Sequence, residues 1–411
     1  MFRDALMAAG RVLFAPLLQH HIDRIDRDHQ APPSHRRIGR RPATLATLFG
    51  EVPVVRDYYI AEGDAEEGGH CPADAAMGLE VFTTAALARL VTRAAAQQPY
   101  GAASRDLAEY GAIHVDERQI QRMVTRLAPA VDPWLAGLPH ASLPLPVMYV
   151  SCDGTGTPMR AKELAGRKGK QADGTSKTRE VKLGAVFTQH RTDQDGFPVR
   201  DLDSTTYVAS YETSAEFSLR LREEARRRGL GVAEKVVFIS DGAAWTEEAA
   251  TQCFPGATSI LDFYHASERI HELAQGLSAE DSRQRAAGWK EKLLADGVDE
   301  VMEEARRLRE QGCADVEAVD ENLGFLGRHR HRMLYGSYRA KGWFIGSGVV
   351  EAGCRTVVGK RLKQSGMFWS EAGATGVLNF RTLLLSGRFD DFWKDRAQAH
   401  AAKNDVLSLG S

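Results

Sequence analysis

Long apolar runs are missing from this sequence. The most apolar opening stretch, residues 1–19, is broken by Arg3, Asp4 and Arg11 before a signal-peptide core or a span of about 18 residues can form, so neither export nor a membrane role is expected. Cysteine is scarce as well. The five present (Cys71, Cys152, Cys253, Cys313, Cys354) are scattered without a CxxC pair, which excludes a disulfide framework and a cysteine-built structural zinc site and fits a reducing cytosol. Nor is there an excess of either charge. Lys and Arg total 53 against 55 Asp and Glu, a net charge of −2, so the chain as a whole is neither a basic nucleic-acid coat nor an acidic disordered tail. Internal repeats and low-complexity tracts are absent too. What remains is ordinary globular composition, 43% hydrophobic and 26% charged over 411 residues. At about 150 residues per domain, that length suggests two or three domains.

The neutral total hides local bias. Residues 51–80 hold eight acids and one base (Arg56), whereas residues 159–182 hold eight bases and three acids. In residues 322–363 nine Lys or Arg accompany a single acid, Glu351. A charge run is most often a solvated face. Two basic windows near isolated carboxylates also have the clustered positive charge that polyanion binding needs.

Hydropathy patterning divides the chain. Residues 1–41 read as a helix followed by a linker or arm rich in Pro, His and Arg. Residues 44–60 read as a β-hairpin turning at Gly50-Glu51. Helical periodicity follows over 84–96, 104–110 (capped by Gly111) and 115–127, giving the outline of a helix-turn-helix, although any αα-hairpin gives the same outline. Gln119, Gln121, Arg122 and Arg126 are its candidate groove-facing residues. Prolines 129, 133, 139, 144 and 146 then mark a domain boundary. Beyond it the pattern is α/β, with strands expected at 147–152, 180–187, 206–211, 235–240 and 259–263 and a helix at 215–228. Residues 266–339 read as helical and charged, which makes them a helical insertion.

Two of these strands end in Asp-Gly, at Asp153-Gly154 and Asp241-Gly242. Each pair taken alone reads as a turn. Together they place two exposed carboxylates on rigid backbone, as a metal ligand requires. A third acid, Glu351, lies about one turn inside a helix that Ser347 can cap, followed by Arg355, Lys360, Arg361 and Lys363. Hard oxygen ligands of this kind suit Mg²⁺ or Mn²⁺, and a pair of such ions serves phosphodiester chemistry.

Several blocks along residues 147–393 carry a family resemblance. Asp153-Gly-Thr-Gly-Thr-Pro-Met159, Glu163-Leu-Ala-Gly-Arg-Lys-Gly-Lys-Gln-Ala-Asp-Gly174, Ser240-Asp-Gly-Ala-Ala-Trp245, Leu261-Asp-Phe-Tyr-His-Ala266 and Gly346-Ser-Gly-Val-Val-Glu351, continuing to Lys360-Arg-Leu-Lys-Gln-Ser-Gly-Met-Phe-Trp369, resemble the ISKra family of bacterial insertion-sequence transposases. The resemblance implies an α/β, ribonuclease H-like mixed sheet over 147–265 and 341–395, interrupted by the helical insertion at 266–340. An N-terminal DNA-binding domain, 1–140, mainly helical with a β-hairpin, would precede it. It further implies a metal and catalytic triad of Asp153 on the first strand, Asp241 after the fourth and Glu351 beyond the insertion, working with Mg²⁺ or Mn²⁺. Lys168, Lys170, Gln119, Gln121, Arg122, Arg355, Lys360, Arg361 and Lys363 would contact double-stranded DNA, element ends and target, on which a homo-oligomer would act. The activity implied is strand cleavage and strand transfer, and the alternative is a catalytically silent, element-derived, sequence-specific DNA-binding protein. A nuclease of the same fold with a non-transposition role is a further reading.

The sequence departs from the family at one point. The segment after the hairpin often carries paired cysteines suggesting a zinc ribbon, whereas residues 58–71 here offer one Cys and one His, too few for a tetrahedral site, so no zinc is expected. Asp262 and His265 read either as neighbours of the metals or as a buried hydrogen-bonded pair. Cys152 alternates to the face opposite Asp153 and reads as core. Gly154-Thr-Gly156 has the look of a phosphate-binding turn, but the remaining glycines of a dinucleotide fingerprint are missing. Trp245, Trp343 and Trp369 read as core first and as stacking platforms for unpaired bases second.

Overall fold

A computed structural model describes residues 2–32, 34–61, 69–167 and 176–409. The chain forms two units, one made of Met1–Gly137 with Trp369–Ser411 and the other of Leu138–Phe368. The residues after Trp369, assigned above to the catalytic domain, therefore belong with the N-terminal segment. The reason is packing. Helix Glu371–Leu385 buries Val377, Leu378, Phe380 and Leu383, and its Arg381 donates to the Ala96 carbonyl at 2.7 Å.

In this first unit the hairpin strands are β1 (His35–Thr47) and β2 (Gly50–Ala61), antiparallel from His35 opposite Ala61 to Thr47 opposite Gly50. The strand thus begins well before residue 44. The arginine-rich segment read as an arm extends because three of its arginines meet partners: Arg37 forks onto Asp57 at 2.5 and 2.7 Å, Arg40 pairs with Asp23, and Arg41 lies 3.5 Å over the Tyr58 ring. Helix Phe2–Asp28 packs Leu18 and Ile22 against Leu45, Val52 and Val54 of the hairpin.

Helices Ala85–Gln97, Tyr100–Gly111 and Glu117–Leu127 follow. The left-handed residue closing the second of them is Ala112 (φ 53°), one position beyond the glycine expected to cap it. The third helix opens with a reciprocal cap, in which Asp116 accepts from the Gln119 N–H (2.8 Å) and the Gln119 side chain accepts from the Asp116 N–H (3.0 Å).

The second unit holds a five-stranded mixed sheet of β3 (Leu145–Pro158), β4 (Thr178–Gln189), β5 (Thr206–Ser210), β6 (Ala233–Ser240) and β7 (Thr258–Leu261), in the spatial order β5-β4-β3-β6-β7. The pairs β3–β4 and β4–β5 are antiparallel, whereas β6 runs parallel to β3 and β7 parallel to β6. One face carries Met148, Val150, Cys152 and Phe238 against helices Ser214–Arg227 and Ala244–Cys253. Cys152 is accordingly core, as its alternation required. The opposite face carries Tyr149, Val237, Ile239 and Ile260 against the helical segment that starts at Phe263. Residues 263–340 form five helices and a short 3₁₀ turn, all with apolar stripes in one core.

Candidate active site

The parallel registers dictate the site. Ser151 lies level with Ile239, so two residues on, Asp153 is level with Asp241; Ser240 lies level with Leu261, so Asp241 is level with Asp262. Three aspartates, one on its strand and two just past the ends of neighbouring strands, therefore form a row. Alternation from Ile239 and Ile260 turns the row towards the face covered by the helical insertion.

Asp153 does not sit at a strand end. β3 continues through Pro158 because β4 pairs with it as far as Thr178, and Asp153 lies opposite Leu183. Asp153-Gly154 is thus no turn, and Gly154-Thr-Gly156 no phosphate loop. The glycines leave room across the strand pair, since a Cβ on Gly154 would meet the Glu180 side chain at 2.3 Å and one on Gly156 the Thr178 hydroxyl at 2.9 Å. Asp241 does follow its strand. Gly242 takes φ +85° there, and Asp241 Oδ1 accepts from the Ala243 N–H at 3.0 Å.

Glu351 reaches the row from the helix Gly348–Gly353. Gly353 lets that helix sit flush on the sheet, for an added Cβ would lie 2.7 Å from Leu183 and 2.8 Å from Tyr207. After Gly353 the chain winds as a π-helix over Cys354–Gly359, which sets the Cys354 thiol 3.5 Å from Asp153 Oδ2. Ser347 does not cap this helix with its side chain. Its hydroxyl donates to Glu351 Oε1 at 2.8 Å and its N–H to Asp262 Oδ1 at 2.7 Å, tying the two acids together.

Asp262 is fully buried and His265 half-exposed, and the imidazole Nδ1 lies 2.7 Å from Asp262 Oδ2. The pair is hydrogen-bonded, as one sequence reading has it, although His265 is not buried, and it adjoins Glu351. The bond to Asp262 pushes His265 up to about 9, outweighing burial, with the charge of Asp241 adding to it. Burial alone would push Asp262 up; the hydrogen bonds from His265 and Ser347 reverse this and hold it below the usual carboxylate range. Asp153 is left pushed up, chiefly by burial, with the Asp241 charge adding to the effect.

Among the described residues, Asp262, His265 and Glu351 place their ligand atoms within 4.8 Å of one another and can hold a divalent cation. In the sequence Asp262 and His265 are not among the expected ligands. The signal that singles them out is the strand end at Leu261, one register step from Asp241.

The expected DNA-contacting residues differ in exposure and in their partners. Lys168 and Lys170 lie outside the described residues. Arg355 and Lys360 are exposed, and Lys363 donates to Thr155 Oγ1 at 2.5 Å. Arg361 is fully buried, which removes it from any phosphate-facing set. Gln121 is half-buried and Arg122 exposed, whereas the Gln119 side chain is engaged in the helix cap and is not free to read a base edge. Trp343 and Trp369 are buried, and Trp245 is half-buried against Phe217. His70 packs edge-on against His35 at 5.2 Å between ring centres. Among the described residues no helix is long and apolar enough to cross a membrane.

No family model and no curated protein matches the chain. Among solved structures it is similar to a chain of a Drosophila P element transposase strand transfer complex, at 9% identity over 76% of this chain and 80% of that one, with a TM-score of 0.26.

Proposed function

We propose that this protein is a metal-dependent transposase of the ISKra type, with a ribonuclease H-like catalytic unit, that cleaves DNA at the ends of an insertion element and joins the freed 3′-hydroxyl to target DNA. The observation that carries the reading is the row Asp153, Asp241, Asp262 across three adjacent strands, with Glu351 tied to Asp262 through Ser347. These donors fit a hard cation, because they are mainly carboxylate oxygens and the half-buried Asp153 carboxyl is pushed up by burial despite the nearby charge of His265. Asp153, Asp241 and Glu351 are the assigned ligands of Mg²⁺ or Mn²⁺, and Asp262 is an additional carboxylate between Asp241 and Glu351. When bound, such a cation activates water and stabilises a leaving oxygen. The protein's own contribution is orientation. Ser347 fixes Glu351, Ala243 fixes Asp241, and Asp262 holds a proton on His265 that must leave if the imidazole is to ligate.

The test is incubation with element-end DNA and Mg²⁺ or Mn²⁺, with the cut strands mapped. Cleavage that EDTA abolishes is expected. DNA binding without cleavage in either metal would leave the catalytically silent, DNA-binding reading in its place.

Binding itself gives a second check. Log affinity should fall linearly with log salt, with a slope of about −0.9 per phosphate neutralised. Exchanging the exposed Arg355 and Lys360 together for Gln should flatten the slope by about 2, whereas Arg361→Gln should lower stability and leave the slope alone. A slope unmoved by the double exchange would return this basic window to a solvated face.

A further inference from the structure

The basic window 322–363 conceals an arginine that never reaches solvent. Arg332 is 2% exposed, at the end of the helical insertion, and besides facing His329 Nδ1 at 3.4 Å its guanidinium reaches three oxygen acceptors in different directions. Nη1 donates to Glu247 Oε1 at 2.6 Å, and Nη2 donates to Ser240 Oγ at 2.8 Å and faces the Ile260 carbonyl at 3.4 Å. These three acceptors have one thing in common. Ser240 precedes Asp241, Glu247 lies on the helix whose Thr246 hydroxyl reaches Asp241 Oδ1 at 3.4 Å, and Ile260 stands two residues before Asp262.

Neighbouring residues reinforce the bracket. His329 Nδ1 lies 2.8 Å from the same Glu247 oxygen. Tyr335 donates its hydroxyl to the Leu261 carbonyl at 3.0 Å. Gly242 has no room for a side chain, since a Cβ there would lie 2.8 Å from Leu261 and 3.3 Å from the His329 ring.

We propose that Arg332 is a positioning residue that fixes the strand ends carrying Asp241 and Asp262 relative to one another, so that the helical insertion acts as the frame of the site. The inference rests on the metal-binding reading above. Only a planar guanidinium supplies donors in these divergent directions from one buried position; a lysine ammonium in its place would serve one acceptor well and leave the others unpaired. Residues that orient ligands in this way typically change metal affinity by ten- to a hundredfold when lost.

The experiment is Mn²⁺ titration of the full chain by calorimetry, beside its melting temperature, for wild type, Arg332→Lys, Glu247→Gln and Leu293→Ala. Leu293 is fully buried in the core of the insertion and serves as a destabilising control away from the hydrogen bonds of Arg332. Arg332→Lys and Glu247→Gln should each weaken Mn²⁺ binding by about tenfold, while Leu293→Ala lowers the melting temperature and leaves Mn²⁺ affinity at the wild-type value. The two site exchanges combined should lose little more than either alone, because they break one interaction. Wild-type affinity in Arg332→Lys and Glu247→Gln, or an equal loss in Leu293→Ala, would make Arg332 a packing residue and overturn the proposal. A wild-type chain that binds no Mn²⁺ would instead overturn the metal-binding reading, and this inference with it.

Discussion

Asp153→Asn is expected to abolish metal-dependent strand cleavage, by at least about a thousandfold, while raising the stability of the metal-free protein. The first effect follows from losing a ligand whose cation supplies several kcal/mol of transition-state stabilisation, with about 1.4 kcal/mol per factor of ten. The second follows from burial. Burial first, and the neighbouring Asp241 charge second, push the Asp153 carboxyl above its ordinary value. A raised carboxyl contributes its full stability below its unfolded pKa, and that contribution is lost as pH rises through the folded value. At neutral pH the metal-free wild type therefore carries the cost of a buried charge, and Asn removes it. Melting temperatures recorded in EDTA should show a decline of stability above about pH 4 in the wild type that is smaller in the variant. Mn²⁺ should then stabilise the wild type and leave the variant unmoved. A variant that melts lower than wild type in EDTA and still cuts DNA would make Asp153 a structural residue.

Much of the second unit can be read in the sequence, since short apolar runs rich in β-branched and aromatic residues are strong strand signals and all five strands of the sheet lie where such runs occur. Strand ends are harder to read. Asp153-Gly154 has the residue types of a turn, and only the partner strand, paired out to Thr178, keeps it extended. The arginines of residues 36–41 mislead in the same way. A polar run with prolines has no apolar alternation to announce a strand, and its cross-strand partner Asp57 and helix partner Asp23 are visible only once the chain is folded.

The candidate site divides similarly. Asp153 and Asp241 stand out because each is an acid directly before glycine at the end of an apolar run, and Glu351 because it is the lone acid in a basic window. Asp262 and His265 carry no such mark, since Leu-Asp-Phe-Tyr-His fits a helix cap equally well, and Asp262 does in fact accept from the His265 N–H as a cap would. Arg332 is less visible still. A window count places it with the surface bases, and nothing local distinguishes a buried guanidinium from an exposed one. Gln119 illustrates the converse, because an Asp-x-x-Gln spacing is a capping signal in the sequence itself and competes directly with a base-reading role for the same side chain.

The largest effect expected on folding concerns a boundary drawn on sequence alone. A fragment ending at residue 140 contains the hairpin and the three helices of residues 85–127, and it would be the natural test piece for sequence-specific DNA binding. It is expected not to fold. Helix Glu371–Leu385 closes the core of this unit, with Val377, Leu378, Phe380 and Leu383 at most 1% exposed. At about 1.5–3 kcal/mol for each large apolar side chain, losing these four removes roughly 6–12 kcal/mol, as much as the whole stability of an ordinary domain. Polar losses add to this. Arg381 and Asn379 satisfy the carbonyls of Ala96 and Ala128, which would be left facing the gap, and Trp134 would lose both its bond to Asp395 (3.0 Å) and its edge-on contact with Phe392. Gly376, whose Cβ would meet Val124 at 3.1 Å, shows how closely this helix lies on helix Glu117–Leu127. The expected result is a fragment 1–137 with poorly dispersed amide resonances and no cooperative melt, and a cooperative melt once residues 369–411 are joined to it through a flexible linker. Only the joined form should then show any preference for element-end over scrambled DNA in competition. A fragment 1–137 that melts cooperatively by itself would show that the C-terminal helices decorate this unit rather than complete its core.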